Sequence, residues 1–353
     1  MERIKVLIID DSTLICHVIT EIISADSAFE VVGAAHDPYE AREMIKELKP
    51  DVLTLDIEMP KMDGITFLRN LMRLHPLPVI MLSTFTAKGT DETLTALAIG
   101  AIDYMPKPLT GAQGMAISDF AEELKEKIKA AASLKNKIVM RLPPAQRPQS
   151  PSILKSLNLE SSIGQKIIAI GASTGGTEAL QEVLSVLPKD IPPIVIAQHI
   201  SASFSARLAK RIDEKSTISV IEATDGLTLE QGVAYFAPGG CHLKVERSGT
   251  ILKCRVEDSA LVNRHKPSVG VLFDSLIAAN VETAIAVLLT GMGNDGAEAM
   301  LRLKREGAYT VAQDEESSLI WGMPGSAVKL GAVVDVLPLE KISQALVGRF
   351  KTQ

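Results

Sequence analysis

Two groups of residues in this sequence have the types and spacing for chemistry. The first comprises Asp10, Asp11, Asp56, Ser83 and Lys107. Each stands at or just beyond the end of a short apolar run: IKVLII before Asp10, DVLTL before Asp56, PVIML before Ser83 and Thr84, IDYM before Lys107. If those runs are strands of one open parallel sheet, their carboxyl ends share an edge, where such sheets bind ligands. Three carboxylates gathered there repel one another and require a hard cation, which Mg²⁺ satisfies with carboxylates, a carbonyl and waters. The metal would offset charge as a phosphoryl group arrives on Asp56. A hydroxyl and a lysine would then bind the new phosphate oxygens. Taken singly, Asp11 with Ser12 could cap a helix, and Lys107 before Pro108 could be a solvated loop residue. The set as a whole favours a phosphoacceptor pocket around Asp56.

The second group starts at GASTGG, residues 171–176, between the apolar run KIIAI and the helical pattern TEALQEVLSVL. It contains G-x-S-x-G, a strand–turn–helix arrangement that exposes a serine on a sharp elbow. The helix N-terminus would offer N–H groups to an oxyanion. By itself the motif fits a serine nucleophile and a phosphate-binding loop about equally, although no Lys follows it as in a P-loop and G-x-G-x-x-G is not matched. Two further strand ends favour the nucleophile. PIVIAQ runs into His199, and TAIAVLLTGMGN leads to Asp295. A histidine beside Ser173 can take its proton, and a buried aspartate can orient the imidazole. Separately, His199 could be a packing residue and Asp295 the N-cap of the helix GAEAMLRLKRE. The order Ser173, His199, Asp295 departs from the α/β-hydrolases, where the acid precedes the histidine. His242 and His265 are rival bases. His265 is flanked by Arg264 and Lys266, which would disfavour an imidazolium there, and it reads as a substrate-side neighbour. Nothing marks Cys241 as an activated nucleophile.

These groups need elements to hold them. In the first third, IKVLII, EVVGAA, DVLTL, PVIML and IDYM read as strands. TLICHVITEIIS, PYEAREMIKEL, GITFLRNLMRL and ETLTALAIG carry helical spacing between them. A last helix covers roughly 117–131. Strands alternating with helices imply a parallel sheet covered on both faces. RLPPAQRPQSPSILKSLNLESS is dense in Pro, Ser and Gln and reads as a linker. Strand–helix alternation then resumes, interrupted between Gly232 and Val256 by what read as short antiparallel strands around a Ser-Gly turn. The expectation is two α/β domains. Residues 1–125 form a five-stranded, flavodoxin-like domain, and 126–164 a linker that includes the end of the last helix. Residues 165–353 form a second doubly wound, mainly parallel domain with a β-hairpin insertion.

Composition narrows the function classes. The chain has 353 residues, 46% hydrophobic and 23% charged, with a formal net charge of -6. That charge argues against nucleic-acid binding, which leaves a basic footprint. The absence of a helix-turn-helix pattern argues against a DNA-binding regulator. Three cysteines without C-x-x-C spacing indicate neither a disulfide framework nor a zinc site. MERIKVLIIDD does not resemble a signal peptide, and no apolar run is long enough to span a bilayer. The expected compartment is the cytoplasm, without membrane insertion.

The marks IIDDS, LTLDIEMPKMDG, LST and YMPKP make residues 1–125 resemble the response-regulator receiver family. That resemblance implies phosphorylation of Asp56 by a histidine kinase. It implies Mg²⁺ held by Asp11, Asp56 and the backbone of Glu58, with Asp10 acting through water. It also implies Ser83 as switch hydroxyl, Lys107 as phosphate partner, Tyr104 as a rotating aromatic and a cis Lys107–Pro108 bond. IAIGASTGGTEAL, QHI, APGGCH, VNRHKPSV and VLLTGMGNDGA extend the likeness over nearly the whole chain. They resemble the chemotaxis protein-glutamate methylesterases, with Gly270 a departure where members often carry Asp. The resemblance implies a Ser173–His199–Asp295 triad and an oxyanion hole from the backbone around Thr174 and Met292. The implied substrate is a γ-glutamyl methyl ester on chemoreceptor cytoplasmic domains, with receptor glutamines as further substrates and no cofactor for the hydrolysis. A receiver joined to a hydrolase would be expected to switch it on when phosphorylated. A non-catalytic, phosphorylation-dependent binding module is the alternative.

Overall fold

The computed structural model describes residues 3–83, 86–108, 117–135, 154 and 166–351. Its contacts divide the chain into two compact units, Met1–Pro148 and Gln149–Gln353. Most of the stretch read as a linker, and Thr84, lie outside the described residues.

In the first unit β1 (Ile4–Ile9), β2 (Phe29–Ala35), β3 (Val52–Asp56), β4 (Val79–Ser83) and β5 (Asp103–Pro106) form one sheet in the order β2-β1-β3-β4-β5. Every pair in it is parallel. The helices are α1 (Thr13–Ser24), α2 (Pro38–Leu48), α3 (Gly64–Leu74), α4 (Ala87–Ile99) and α5 (Ile117–Ser133). β3 and β4 are buried along their whole length. That explains why their sequences are mostly apolar rather than alternating. Helix starts carry the expected side-chain caps. Ser12 accepts from the Ile15 N–H, Asp37 from Tyr39 and Glu40, and Asp63 from Thr66, each worth about 1 kcal/mol. α5 continues to Ser133, beyond the residue 125 expected as the end of the domain. β1 lies between β2 and β3, so the winding direction reverses there. Asp10, Asp11 and Asp56 leave the sheet at that reversal, where doubly wound sheets bind ligands.

The second unit is built on a seven-stranded sheet ordered β14-β13-β12-β6-β7-β9-β8. Its strands are β6 (Lys166–Ala172), β7 (Ile194–Gln198), β8 (Ser219–Glu222), β9 (Val233–Phe236), β12 (Thr283–Leu288), β13 (Tyr309–Gln313) and β14 (Asp335–Leu337). All its pairs are parallel. The helices are α6 (Gly176–Leu184), α7 (Ala202–Asp213), α8 (Val269–Ala278), α9 (Ala297–Arg305), α10 (Met323–Lys329) and α11 (Leu339–Lys351). β10 (His242–Ser248) and β11 (Ile251–Glu257) make a separate antiparallel hairpin. β9 departs from expectation: it joins the parallel sheet between β7 and β8 and is not part of the hairpin. Four residues are too few to show a strand's partner in their own pattern. Winding reverses between β6 and β12, which again marks a ligand edge.

Candidate active site and phosphoacceptor pocket

Asp10, Asp11 and Asp56 offer carboxylate oxygens all within 4.8 Å of one another. Asp10 and Asp56 are fully buried, and Asp11 is exposed at the mouth. Lys107 Nζ lies 2.8 Å from Asp10 Oδ2 and 2.8 Å from Asp56 Oδ2. Burial pushes the Asp56 carboxyl up to about 6; Asp10 adds to the shift, and Lys107 and the Glu58 amide oppose it. Burial draws Lys107 down, but its bonds to Asp10 and Asp56 dominate and raise its pKa. Asp56 Oδ1 is buried without a hydrogen bond. An under-partnered carboxylate oxygen beside two more carboxylates fits a hard cation. Glu58 is exposed, and with Asp11 and Asp63 it lines the same depression. Ser83, at the end of β4, is buried and its hydroxyl donates to Gly89 O at 3.3 Å. Tyr104 is 8% exposed, with Lys127 Nζ 5.5 Å from its ring centroid. Among the described residues the cis bond is Lys266–Pro267. Lys107–Pro108 is trans, contrary to expectation, and the lysine reaches both acids from that backbone.

The second unit gathers Ser173, His199 and Asp295 at neighbouring strand ends. Ala172 and Gln198, the last residues of β6 and β7, are cross-strand partners. The His199 N–H donates to Ala172 O at 3.0 Å, which sets His199 beside the residue following Ala172. His199 Nε2 lies 2.9 Å from Asp295 Oδ2. An ionised carboxylate only accepts, so Nε2 carries the proton and Nδ1 holds the lone pair. Nδ1 is buried without a partner. The Ser173 hydroxyl is half-buried and makes no hydrogen bond among the described residues. A histidine with one nitrogen anchored and a basic lone pair on the other can take a proton from a nearby hydroxyl.

Asp295 is 1% exposed yet richly bonded. Its Oδ1 accepts from Asn263 Nδ2 at 2.8 Å, Ser268 Oγ at 2.9 Å and the Gly270 N–H at 3.2 Å. Its Oδ2 accepts from the Val269 N–H at 2.6 Å and from His199. The carboxylate thus sits at the N-terminus of α8, where the helix dipole favours negative charge. Burial pushes its pKa up, but the bonds from His199, Asn263 and Val269 outweigh that, and it lies well below the usual carboxylate range. Gly270 contributes through its backbone. A Cβ there would come 3.2 Å from Asp295 Oδ1.

The elbow around Ser173 is braced from below. The Ser173 N–H donates to Thr290 O at 3.1 Å, and Gln198 Nε2 donates to Ser173 O at 2.9 Å. Gly175 adopts φ 79°, and a Cβ there would meet Leu319 at 2.7 Å. A Cβ on Gly291 would lie 2.7 Å from that of Ser173, so only glycine lets the loop after β12 approach the elbow. Thr290 Oγ1 donates to Thr174 O at 3.0 Å and accepts from the Ile320 N–H at 2.9 Å. Thr290→Val is expected to remove both hydrogen bonds from a buried setting and to destabilise the unit by about 1–3 kcal/mol. A thermal melt that matches wild type would refute that bracing. Thr174 is buried and Met292 half-buried. The Met292 N–H makes no hydrogen bond among the described residues, whereas Gly291 O beside it accepts from Gly322 and Met323.

The rival residues are accounted for by their contacts. His242 is fully buried; its Nδ1 accepts from the Ser268 N–H at 3.1 Å and its Nε2 faces Ala260 O at 3.0 Å. Both ring nitrogens are engaged, so it has none to offer a nucleophile. His265 stacks on His199 itself. Cys241 is half-buried, and its N–H donates to Pro238 O. Asn263, Ser268, Gln198 and Thr290 were not singled out from the sequence. Their polar side chains carry no signal until folding puts them beside Asp295 and Ser173.

Comparison with known proteins agrees with this geometry. Residues 168–346 match the CheB methylesterase family model, and residues 6–118 match the response regulator receiver domain model. A protein-glutamate methylesterase/protein-glutamine glutaminase of Vibrio vulnificus is 51% identical over 346 residues, covering 98% of each chain. One from Saccharophagus degradans is 48% identical, covering 98% of this chain and 99% of its own. The crystal structure of the Thermotoga maritima CheB methylesterase catalytic domain superposes with a TM-score of 0.51 at 35% identity. It covers 52% of this chain and 98% of its own.

Proposed function

Because the chain belongs to the CheB methylesterase family and carries a response-regulator receiver domain ahead of the esterase, we propose that Asp56 phosphorylation switches on a serine esterase centred on Ser173. The enzyme is a protein-glutamate methylesterase and protein-glutamine glutaminase. It demethylates chemoreceptors, deamidates their glutamines and so serves adaptation in chemotaxis. The observation that carries the reading is the His199 Nε2–Asp295 pair at the strand ends beside Ser173.

Ser173 Oγ attacks the γ-carbonyl of the glutamyl ester while His199 Nδ1 takes its proton. The Asp295 carboxylate holds the proton on Nε2 and stabilises the imidazolium. Backbone N–H groups around Thr174 and Met292 receive the oxyanion. His199 returns the proton to the leaving oxygen, and methanol departs. Water, deprotonated by the same imidazole, then cleaves the acyl-enzyme to glutamate and free Ser173. With a glutamine side chain the leaving group is ammonia and the product is again glutamate. The hydrolysis draws on no cofactor.

In the receiver, Asp11, Asp56 and the Glu58 carbonyl are the residues that would hold Mg²⁺, with Asp10 reaching it through water. The metal would neutralise charge as the phosphoryl group joins Asp56. Lys107 and Ser83 bind the added phosphate oxygens, and Tyr104 responds to the change at Ser83. The partners are the histidine kinase of the pathway and the methylated cytoplasmic domains of its receptors. No nucleic acid is involved. No helix among the described residues is long and apolar enough to cross a membrane, and the reading places the protein in the cytoplasm without membrane insertion.

The test is methanol release from methylated receptor with and without a small phosphodonor and Mg²⁺. Wild type is expected to accelerate on phosphodonor addition. Asp56→Asn is expected to keep the basal rate and lose the acceleration completely. Acceleration that survives in Asp56→Asn would remove Asp56 as the switch.

A further inference from the structure

His199 is held in its plane by one side-chain hydrogen bond, from Nε2 to Asp295. A ring anchored at a single nitrogen can still tilt about that bond, and tilting would swing Nδ1 away from the nucleophile. The structure opposes this tilt with a second imidazole. The His265 ring lies on His199 with centroids 3.6 Å apart and planes 13° from parallel. The two rings lie face to face at van der Waals contact, so His265 blocks the face of His199 that it covers.

The segment bearing His265 is built to hold it there. The Val262 N–H donates to His265 O at 3.1 Å, and the His265 N–H donates to Val262 O at 2.9 Å. The two residues between them, Asn263 and Arg264, have φ of 52° and 65°. This is the two-residue reversal in which both central residues are left-handed. Asparagine adopts that conformation readily, whereas arginine does so against its preference. The turn delivers two contacts at once. Asn263 Nδ2 reaches Asp295 Oδ1 at 2.8 Å, and His265 covers the His199 ring. Both members of the His199–Asp295 pair are therefore braced from one tight turn, by Asn263 within it and His265 at its end. Neither contact places a His265 nitrogen on the reacting atoms.

We propose that His265 is a positioning residue that holds the His199 ring by stacking, so that Nδ1 stays aimed at Ser173. The inference rests on the reading of His199 as the base. It predicts that the planar ring matters and its nitrogens do not. Methanol release is measured with the full chain, methylated receptor and phosphodonor. His265→Ala is expected to lower kcat about 10-fold with KM within about two-fold of wild type. His265→Phe is expected to recover at least a third of the wild-type kcat. Circular dichroism melts of both variants identify any loss of fold, and only folded variants are compared.

An Ala variant with wild-type kcat would overturn the proposal. So would a Phe variant no better than Ala, which would assign the role to the nitrogens. An effect confined to KM would make His265 a substrate contact and likewise overturn it. His199→Ala, assayed in parallel, separates this inference from the reading beneath it. Near-wild-type turnover in that variant removes the base itself. An inactive His199→Ala beside wild-type His265 variants removes only the stacking role.

Discussion

Ser173→Ala is expected to fold normally and to release methanol from methylated receptor about 10⁶-fold more slowly than wild type, the scale on which triad hydrolases lose turnover without their nucleophile. Folding should be spared because the hydroxyl is half-buried and makes no hydrogen bond among the described residues. Its removal therefore strands no buried partner. The elbow is held through backbone groups that alanine retains: the Ser173 N–H on Thr290 O, and Ser173 O receiving Gly176 N–H and Gln198 Nε2. KM should change little, since the substrate surface is otherwise intact. A folded variant that still releases methanol at a tenth of the wild-type rate would abolish the covalent mechanism. It would also revive a module that only docks its ligand on the glycine-rich turn.

The second large effect concerns Asp295→Asn. Turnover should fall about 10⁴-fold, as when the acid of a serine-protease triad is replaced by its amide. The carboxylate accepts at both oxygens, and each oxygen faces a fixed backbone donor: Val269 N–H at Oδ2 and Gly270 N–H at Oδ1. An asparagine must therefore turn its NH₂ toward one of them. If it does so on the Oδ2 side, His199 Nε2 becomes an acceptor and the ring proton moves to Nδ1. The lone pair meant for Ser173 is then lost. Stability should fall as well, because the buried carboxylate lies well below its usual pKa. A group with a depressed folded pKa contributes fully above its unfolded value, near 4, and loses that contribution as pH falls below it. Melting temperatures of wild type and variant should thus differ at pH 7 and converge as pH drops below about 4. Activity within 10-fold of wild type would show that Asp295 only caps α8.

Much of this was legible in the linear sequence because it depends on local pattern. Asp10, Asp56 and Lys107 each follow an apolar run, and strand ends in parallel sheets face one edge. Ser173 announced itself by the glycines of a sharp turn. His199 and Asp295 followed the same logic of strand ends. β8, β13 and β14 were not legible, and β9 was assigned to the antiparallel region, because strands of three to five residues carry too little pattern to show themselves or their partners. The cis bond expected at Lys107–Pro108 occurs instead at Lys266–Pro267. Nothing local to either dipeptide distinguishes them.

The sequence by itself determined the two α/β units, the acidic pocket and the identity of the groups that can do chemistry. Those follow from residue type and periodicity, which are properties of short stretches. Only the tertiary structure decided which nitrogen of His199 meets Asp295 and which is left with its lone pair, because that depends on which edge of the ring faces the carboxylate. It alone showed that the Asp295 carboxylate is held by Asn263, Ser268 and the first amides of α8. It showed His242, a rival base, with both ring nitrogens engaged, and His265 stacked on the His199 ring. These are orientations and contacts between segments tens of residues apart, and such relations exist only once the chain has closed on itself.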